Sequence, residues 1–284
     1  MPIIALTKCQ AAGNDFVLFD ERAHAALPYP QLARQLCDRR YGIGADGMLI
    51  VSEPQSRDAD VRMRIFNADG SEAELSGNGI RCLWRYIARE SGDARPLRVA
   101  TGSGIMRVEA DGPENVRVDM GVPRIDRQDR KLEFDGQQLS LTTVSMGNPH
   151  AVAFVERPLE TIALEKLAEG IARAVNATGI NVEIVRPDAG HLHMRVHERG
   201  VGETWACGTG ACAAAAVAID TERARSPVGV ITKGGEVTVT WAGGTSPAYL
   251  SGAAHLVFDT QLEVEADERV RKAQANADDR LRTA

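Results

Sequence analysis

Around position 60 the run DVRMRIFNADG sets Val61, Met63 and Ile65 between charged residues, the two-residue period of a strand with one face buried. After Gly79 the period lengthens. Ile80, Leu83, Trp84 and Ile87 recur at spacings of three and four, which predicts an amphipathic helix ending near Ser91 and Gly92. The run PLRVATGSGIMRVEADGPENVRVDMG then gives three short alternating segments with glycine-bearing turns between them, as antiparallel strands do. LETIALEKLAEGIARAV predicts a second helix, and GEVTVTWAGG and HLVFDTQLEVE predict further strands. The tail DERVRKAQANADDRLRTA has few apolar positions and predicts an exposed helix or a frayed end. The mixture is α+β.

The same landmarks occur twice in the same order. Gly13-Asn14-Asp15-Phe16 is answered by Gly147-Asn148-Pro149-His150, GADGMLIV from Gly44 by GINVEIVR from Gly179, and Ser76-Gly-Asn-Gly79 by Cys207-Gly-Thr-Gly210. Asn14 lies 62 positions before Ser76 and Asn148 lies 59 before Cys207; Glu72 and Glu203 each stand four before the glycine motif. A single long repeat is not a solenoid. It predicts two homologous lobes, 1–118 and 119–262, facing each other across a cleft, each a mixed or antiparallel sheet wrapped around a central helix, with 263–284 returning to the first lobe.

Composition narrows the partners. The 284 residues are 44% hydrophobic and 25% charged, enough to bury a full core, and the net charge of −6 argues against a nucleic-acid or anionic-membrane surface. No stretch approaches the roughly 20 apolar residues of a membrane span, and the start MPIIALTKCQ lacks a leader pattern, so a cytoplasmic protein is expected. Five cysteines without a CxxC pair suggest neither a disulfide framework nor a zinc site. His191, His193 and His197 share one face of an extended run, but no cysteine or carboxylate pattern accompanies them, and no metal is expected.

The two glycine motifs each open a helix. The first N–H groups of a helix lack partners, the macrodipole adds partial positive charge, and glycine lets a ligand come close, so SGNG and CGTG together suit one carboxylate. Neither reads G-x-G-x-x-G, and no lysine follows as in a Walker loop, so a phosphate cofactor is unsupported. Cys207, at the mouth of the second helix, is expected to have a lowered pKa and to act as a thiolate base or nucleophile.

GNDFVLFD, GIGADG, IFNADGSEAELSGNGIRC, GNPHAV, GINVEIV and ERGVGETWACGTGACAAA resemble the diaminopimelate epimerases, cofactor-independent amino-acid epimerases, from about residue 8 to 216. The resemblance implies epimerisation of LL-2,6-diaminopimelate to the meso form without a cofactor. Two thiols would flank the α-carbon, one removing a proton and the other supplying one. It makes Cys207 one of these thiols, and Gly77, Asn78, Gly208 and Thr209 the clamp on the reacting carboxylate. Asn14, Asn67, Asn148, Asn181, Glu198 and Arg199 match substrate-binding positions, with His150 and Glu198 adjusting thiol pKa values. A homodimer follows by analogy.

Two positions depart from the family pattern: Gly47 stands where some relatives carry a side-chain-bearing substrate contact, so no role is expected of it, and Ser76 is the larger departure. Ser76 stands where the other catalytic cysteine is expected, and a hydroxyl is a far weaker acid than a thiol. Three readings stay open: an inactivated Cys→Ser variant, a serine with epimerisation retained, or a one-base enzyme such as a dehydratase or another racemase on this scaffold. A catalytically inert amino-acid-binding protein is the alternative from another class.

Overall fold

The structure is a computed structural model, and it describes residues 3–263 apart from 23, 25, 26 and 178. The first half contains β1 (Ile3–Ala11), β2 (Asn14–Asp20), α1 (Tyr29–Cys37), β3 (Gly47–Ser52), β4 (Val61–Asn67), β5 (Glu72–Ala73), α2 (Gly77–Ser91), β6 (Leu97–Thr101), β7 (Gly104–Asp111) and β8 (Asn115–Asp119). The second contains β9 (Arg124–Phe134), β10 (Gln137–Ser145), β11 (Pro149–Phe154), α3 (Leu164–Ala174), β12 (Asn181–Asp188), β13 (His191–Glu198), β14 (Gly202–Thr204), α4 (Gly208–Asp220), β15 (Val228–Thr232), β16 (Gly235–Trp241) and β17 (Ala248–Ala253). β18 (His255–Glu263) follows.

The pairing repeats strand for strand. β1–β2 is antiparallel, β2–β3 parallel, β3–β4 antiparallel, β4–β6 parallel, and β6–β7 and β7–β8 antiparallel. The second half runs β10–β11, β11–β12, β12–β13, β13–β15, β15–β16 and β16–β17 with the same alternation. β9 edges β10 as β18 edges β1. Thus the last described strand belongs to the first half's sheet, although it follows the second half in the chain. The return expected of 263–284 lies, beyond Glu263, outside the described residues. The halves are stitched antiparallel through β8 and β17, with Leu250 opposite Val118.

Each half also repeats an ion pair. Arg64 Nε meets Glu72 at 2.7 Å and Arg195 Nε meets Glu203 at 2.8 Å, which accounts for the recurring glutamate seen in sequence.

Helices occupy equivalent places. α2 and α4 sit inside the wrapped sheets within one continuous core that runs from Cys9 to Ala254, whereas α1 and α3 cover the outer faces over two smaller cores. α4 is alanine-rich and apolar all round, as a helix enclosed by strands must be. Its small side chains let the backbone pack close to the sheet. α2 is buried from Gly77 to Trp84 and ends at Gly92 in the left-handed conformation, the stop expected from the sequence. The segment read as one helix from Leu159 breaks instead: Leu159–Thr161 is a single 3-10 turn, Ile162 is extended, and α3 begins at Leu164. The β-branched Thr161-Ile162 pair favours that break.

Candidate active site

Site residues gather where three neighbouring strands end beside a helix start. In the second half β11 and β12 run parallel with His150 opposite Asn181, and β13 returns so that Glu198 ends level with them. In the first half the same ends carry Phe16, Gly47 and Asn67. Between these clusters the two inner helices begin.

Ser76 and Cys207 are the N-caps of α2 and α4, with nearly equal backbone angles (φ −142, ψ 115 and φ −125, ψ 115). Ser76 Oγ accepts the Gly79 N–H at 3.0 Å, and Cys207 Sγ accepts the Gly210 N–H at 3.4 Å. The helix starts abut. A Cβ placed on Gly208 would lie 3.5 Å from Gly77 Cα and 3.0 Å from Leu250 Cδ2, so glycine is needed where the two backbones converge. Neither first turn contains an acidic residue, leaving both positive helix ends uncompensated from within.

The Cys207 thiol differs from the sequence expectation. It is pushed well above the ordinary cysteine value, first by burial and then by the Glu198 and Glu183 carboxylates, against which hydrogen bonds from Thr209 and the Gly210 N–H act only partly. Cys207 therefore rests as a thiol. The helix end lowers a thiol pKa only where its field is not outweighed, and here two carboxylates oppose it, Glu183 fully buried and Glu198 half-buried. Glu198 is itself raised, chiefly by burial, with Thr204 and the Cys207 thiol donating to it.

Beneath lies a pair of fully buried groups. His150 Nδ1 meets Glu183 Oε1 at 2.7 Å and Nε2 meets Asn148 Oδ1 at 2.9 Å, while Asn148 Nδ2 points at Thr209 Oγ1, 3.4 Å away. Sequence reasoning overlooked Glu183. Its signal was present: a glutamate in the middle of GINVEIV, an otherwise apolar strand, is out of place unless a partner awaits it.

Asn14 and Asn78 are joined, Asn78 Nδ2 donating to Asn14 Oδ1 at 3.2 Å, and Asn14 Nδ2 donates to Asp46 Oδ2 at 2.8 Å. Asp46 is one end of an ion network running through Arg39 and Asp15 to Lys8, none of which the sequence marked as part of the site. Asn181 donates to Pro149 O and accepts the Arg199 N–H at 2.9 Å. The exposed Arg199 side chain lies along Gly179, where a Cβ would come within 2.6 Å of Arg199 Cδ. Asn67 bonds Ser71 Oγ at 2.9 Å within its own turn rather than another candidate residue. His191 and His193 face Glu236 and Asp188 on the far part of β13.

The halves touch again beside the helix starts. Trp205, two residues before Cys207 and 62% exposed, lies against Gly13 of the first half, where a Cβ would fall 2.9 Å from Trp205 Cε3. Among the described residues no helix is long and apolar enough to cross a membrane.

Two sheets of the same pairing, each enclosing a helix, define the fold shared by PhzF-type proteins and proline-racemase-type epimerases. The PhzF-family phenazine biosynthesis protein of Bacillus anthracis superposes with a TM-score of 0.71 at 19% identity, over 93% of this chain and 100% of that one. A hydroxyproline epimerase from Agrobacterium vitis, with bound trans-4-OH-L-proline, gives 0.69 at 13% identity, over 92% of each chain. At these identities the likeness concerns the fold. Sequence narrows it further: the diaminopimelate epimerase profile matches residues 6–125 and 142–257. The diaminopimelate epimerase of Aromatoleum aromaticum (strain DSM 19018 / LMG 30748 / EbN1) is 40% identical over 282 residues, covering 92% of this chain and 99% of that protein. That of Desulfitobacterium hafniense (strain DSM 10664 / DCB-2) is 41% identical over 283 residues, with the same coverage. The chain belongs to the diaminopimelate epimerase family.

Proposed function

We propose that this protein epimerises LL-2,6-diaminopimelate to the meso form by removing the α-proton on one face and returning a proton on the other. The observation that carries the reading is the pair of abutting helix starts, Ser76-Gly77-Asn78 and Cys207-Gly208-Thr209, each led by a side chain able to hold a proton. The reacting carboxylate sits between them, taking N–H groups of Gly77, Asn78, Gly208 and Thr209. As the α-proton leaves, negative charge flows onto that carboxylate, and fixed dipoles in a dry site stabilise it without reorganising.

Cys207 starts as a thiol and passes its proton to Glu198, whose raised pKa suits it to receive one; the thiolate then takes the α-proton. His150, held by Glu183 and Asn148, adjusts that exchange. On the other face the Ser76 hydroxyl donates, and the Gly79 N–H steadies the oxygen it leaves behind. Asn14, Asn67, Asn148, Asn181 and Glu198 serve the amino and carboxylate groups. Arg199 offers a bidentate fork to the distal carboxylate. The segments 1–118 and 119–262 act as the two lobes, except that β18 (His255–Glu263) joins the sheet of the first. We read the protein as a cytoplasmic homodimer, for which the exposed Val257 and Phe258 on β18 provide apolar surface.

Ser76 favours a second reading in which only Cys207 works as a base, so that the α-proton exchanges without inversion or leaves in an elimination. Incubation with LL- and meso-diaminopimelate in deuterated water, beside a Ser76→Cys variant, separates the two. Inverted, α-deuterated product supports epimerisation. Exchange without inversion, with inversion restored in the variant, supports one working base. No exchange by either protein sinks the proposal.

A further inference from the structure

At the fourth residue after Gly77 the chain buries a cation. Arg81 is fully enclosed (0% exposed), and among the described residues no carboxylate pairs with it. Its Nη1 donates to Gly77 O at 3.2 Å and its Nη2 to Asn78 Oδ1 at 2.7 Å, while Nε has no hydrogen-bond partner. The guanidinium lies at the junction of the halves: a Cβ on Gly252 of β17 would be 3.6 Å from both Nε and Nη2. Cys212 of α4 lies close enough to feel its charge. An unpaired buried charge is expensive to keep, and an arginine that only filled space would be better replaced by an apolar side chain.

We propose that Arg81 is a positioning residue for the carboxylate clamp, holding Asn78 and Gly77 in place and adding one fixed positive charge behind both helix starts. This rests on the reading that a substrate carboxylate sits between those starts.

Two consequences of the geometry support the assignment. Because Arg81 donates to Asn78 Oδ1, the Asn78 amide must turn its NH2 toward Asn14, and Asn14 must turn its NH2 toward Asp46. The chain Arg81, Asn78, Asn14, Asp46 thus runs donor to acceptor from a cation to an anion, and it fixes the orientation of two amides at the site. In addition, the equivalent position in α4 is the neutral Cys212, so one guanidinium serves both helix ends. In a dry interior its field adds to the two helix dipoles at the point where an anion would sit.

The test uses acetate as a plain carboxylate probe, followed by the amide resonances of Gly77, Asn78, Gly208 and Thr209 in the intact protein. The parent shows saturable shifts at these amides. Arg81→Met, of similar length but neutral, keeps or raises the melting temperature while weakening acetate at least about tenfold, equivalent to about 1.4 kcal/mol. Arg81→Lys, which retains the charge, recovers most of that affinity. Arg81→Gln repeats the loss with a side chain still able to bond Asn78, so the result does not depend on how methionine packs. With diaminopimelate, kcat/KM for α-deuterium exchange falls by a similar factor in the neutral variants. Acetate affinity unchanged in a folded neutral variant, a sharply lower melting temperature in Arg81→Met, or no acetate shifts in the parent would each overturn the assignment. If the parent binds acetate at these amides but does not exchange diaminopimelate, the proposed function fails and the role of Arg81 stands.

Discussion

Glu183 stands in the second half where Leu49 stands in the first. A Cβ on Gly210 would strike Glu183 Oε1 at 2.6 Å, and a Cβ on Gly79, the matching residue of α2, would strike Leu49 Cδ2 at 2.9 Å. His150 and Phe16 likewise occupy the same place in their sheets, opposite Asn181 and Gly47. The repeat is therefore faithful in backbone and unequal in chemistry: one helix start rests on a buried acid and imidazole, the other on hydrocarbon. Ser76 and Cys207 thus cap their helices in unlike surroundings, and the polar one carries the thiol.

Glu198→Gln is expected to move the titration of Cys207 to lower pH. Burial is the largest cause of the raised thiol, but Glu198 is the first charged one, and removing a negative neighbour makes the thiolate easier to form. The measurement is the pH dependence of Cys207 alkylation by iodoacetamide, localised by mass spectrometry because the other four cysteines are also buried. An unmoved profile would mean that Glu198 does not contribute and that burial and Glu183 govern the thiol.

The architecture was legible because it rests on local signals that the chain states twice. Alternation at Val61–Ile65, helical spacing from Ile80 to Ile87 and the answering motifs at Ser76 and Cys207 all fall on the observed elements. What stayed hidden is set by distant partners. The resting state of Cys207 depends on Glu198 and Glu183, nine and 24 positions earlier in the chain, so a rule about helix ends gave the wrong direction. Arg81 is not among the residues singled out in the sequence, and only the packing of β17 and α4 against it shows the enclosure. A return to the first lobe is expected of 263–284, but the strand that makes it, β18, already begins at His255.

Gly210→Ala should cost about 1–3 kcal/mol of stability, the usual penalty for forcing atoms into a packed interior. The added methyl group would press on Glu183 Oε1, which cannot swing away because His150 Nδ1 holds it at 2.7 Å in a fully buried site. Denaturant unfolding measures the loss, and deuterium exchange at the substrate α-carbon should fall with it as His150 shifts. Wild-type stability in this variant would show that the acid is free to move.

Ser76→Ala removes the cap of α2 and leaves the Gly79 N–H without its acceptor. The expected loss is about 1 kcal/mol, or about 2–4 °C in melting temperature for a chain of this size. Ser76→Cys should lose less, since Cys207 performs the same capping on α4 through Sγ. Calorimetry on the three proteins checks the order serine, cysteine, alanine. An alanine variant as stable as the parent would mean that solvent replaces the cap.

Acid should weaken the second half through Glu203. Hydrogen bonds from Arg195, and then the Lys233 ammonium, hold its carboxyl at about 2, against 4.5 for a free glutamate, although burial acts in the opposite sense. A carboxyl whose pKa is depressed by folding stabilises the fold above its unfolded value, and that contribution is lost as pH falls from 4.5 toward about 2. The side chain is 29% exposed, so screening reduces the effect and added salt should shrink it further. Melting temperatures taken from pH 7 down to about pH 3 should therefore decline in the parent. Glu203→Gln should begin lower and decline less over the same window, and Lys233→Met should fall between them because Arg195 remains. Parallel curves for parent and Glu203→Gln would show that the pair contributes nothing to acid stability, and would move attention to the Arg39 and Lys8 ion pairs of Asp15 in the first half.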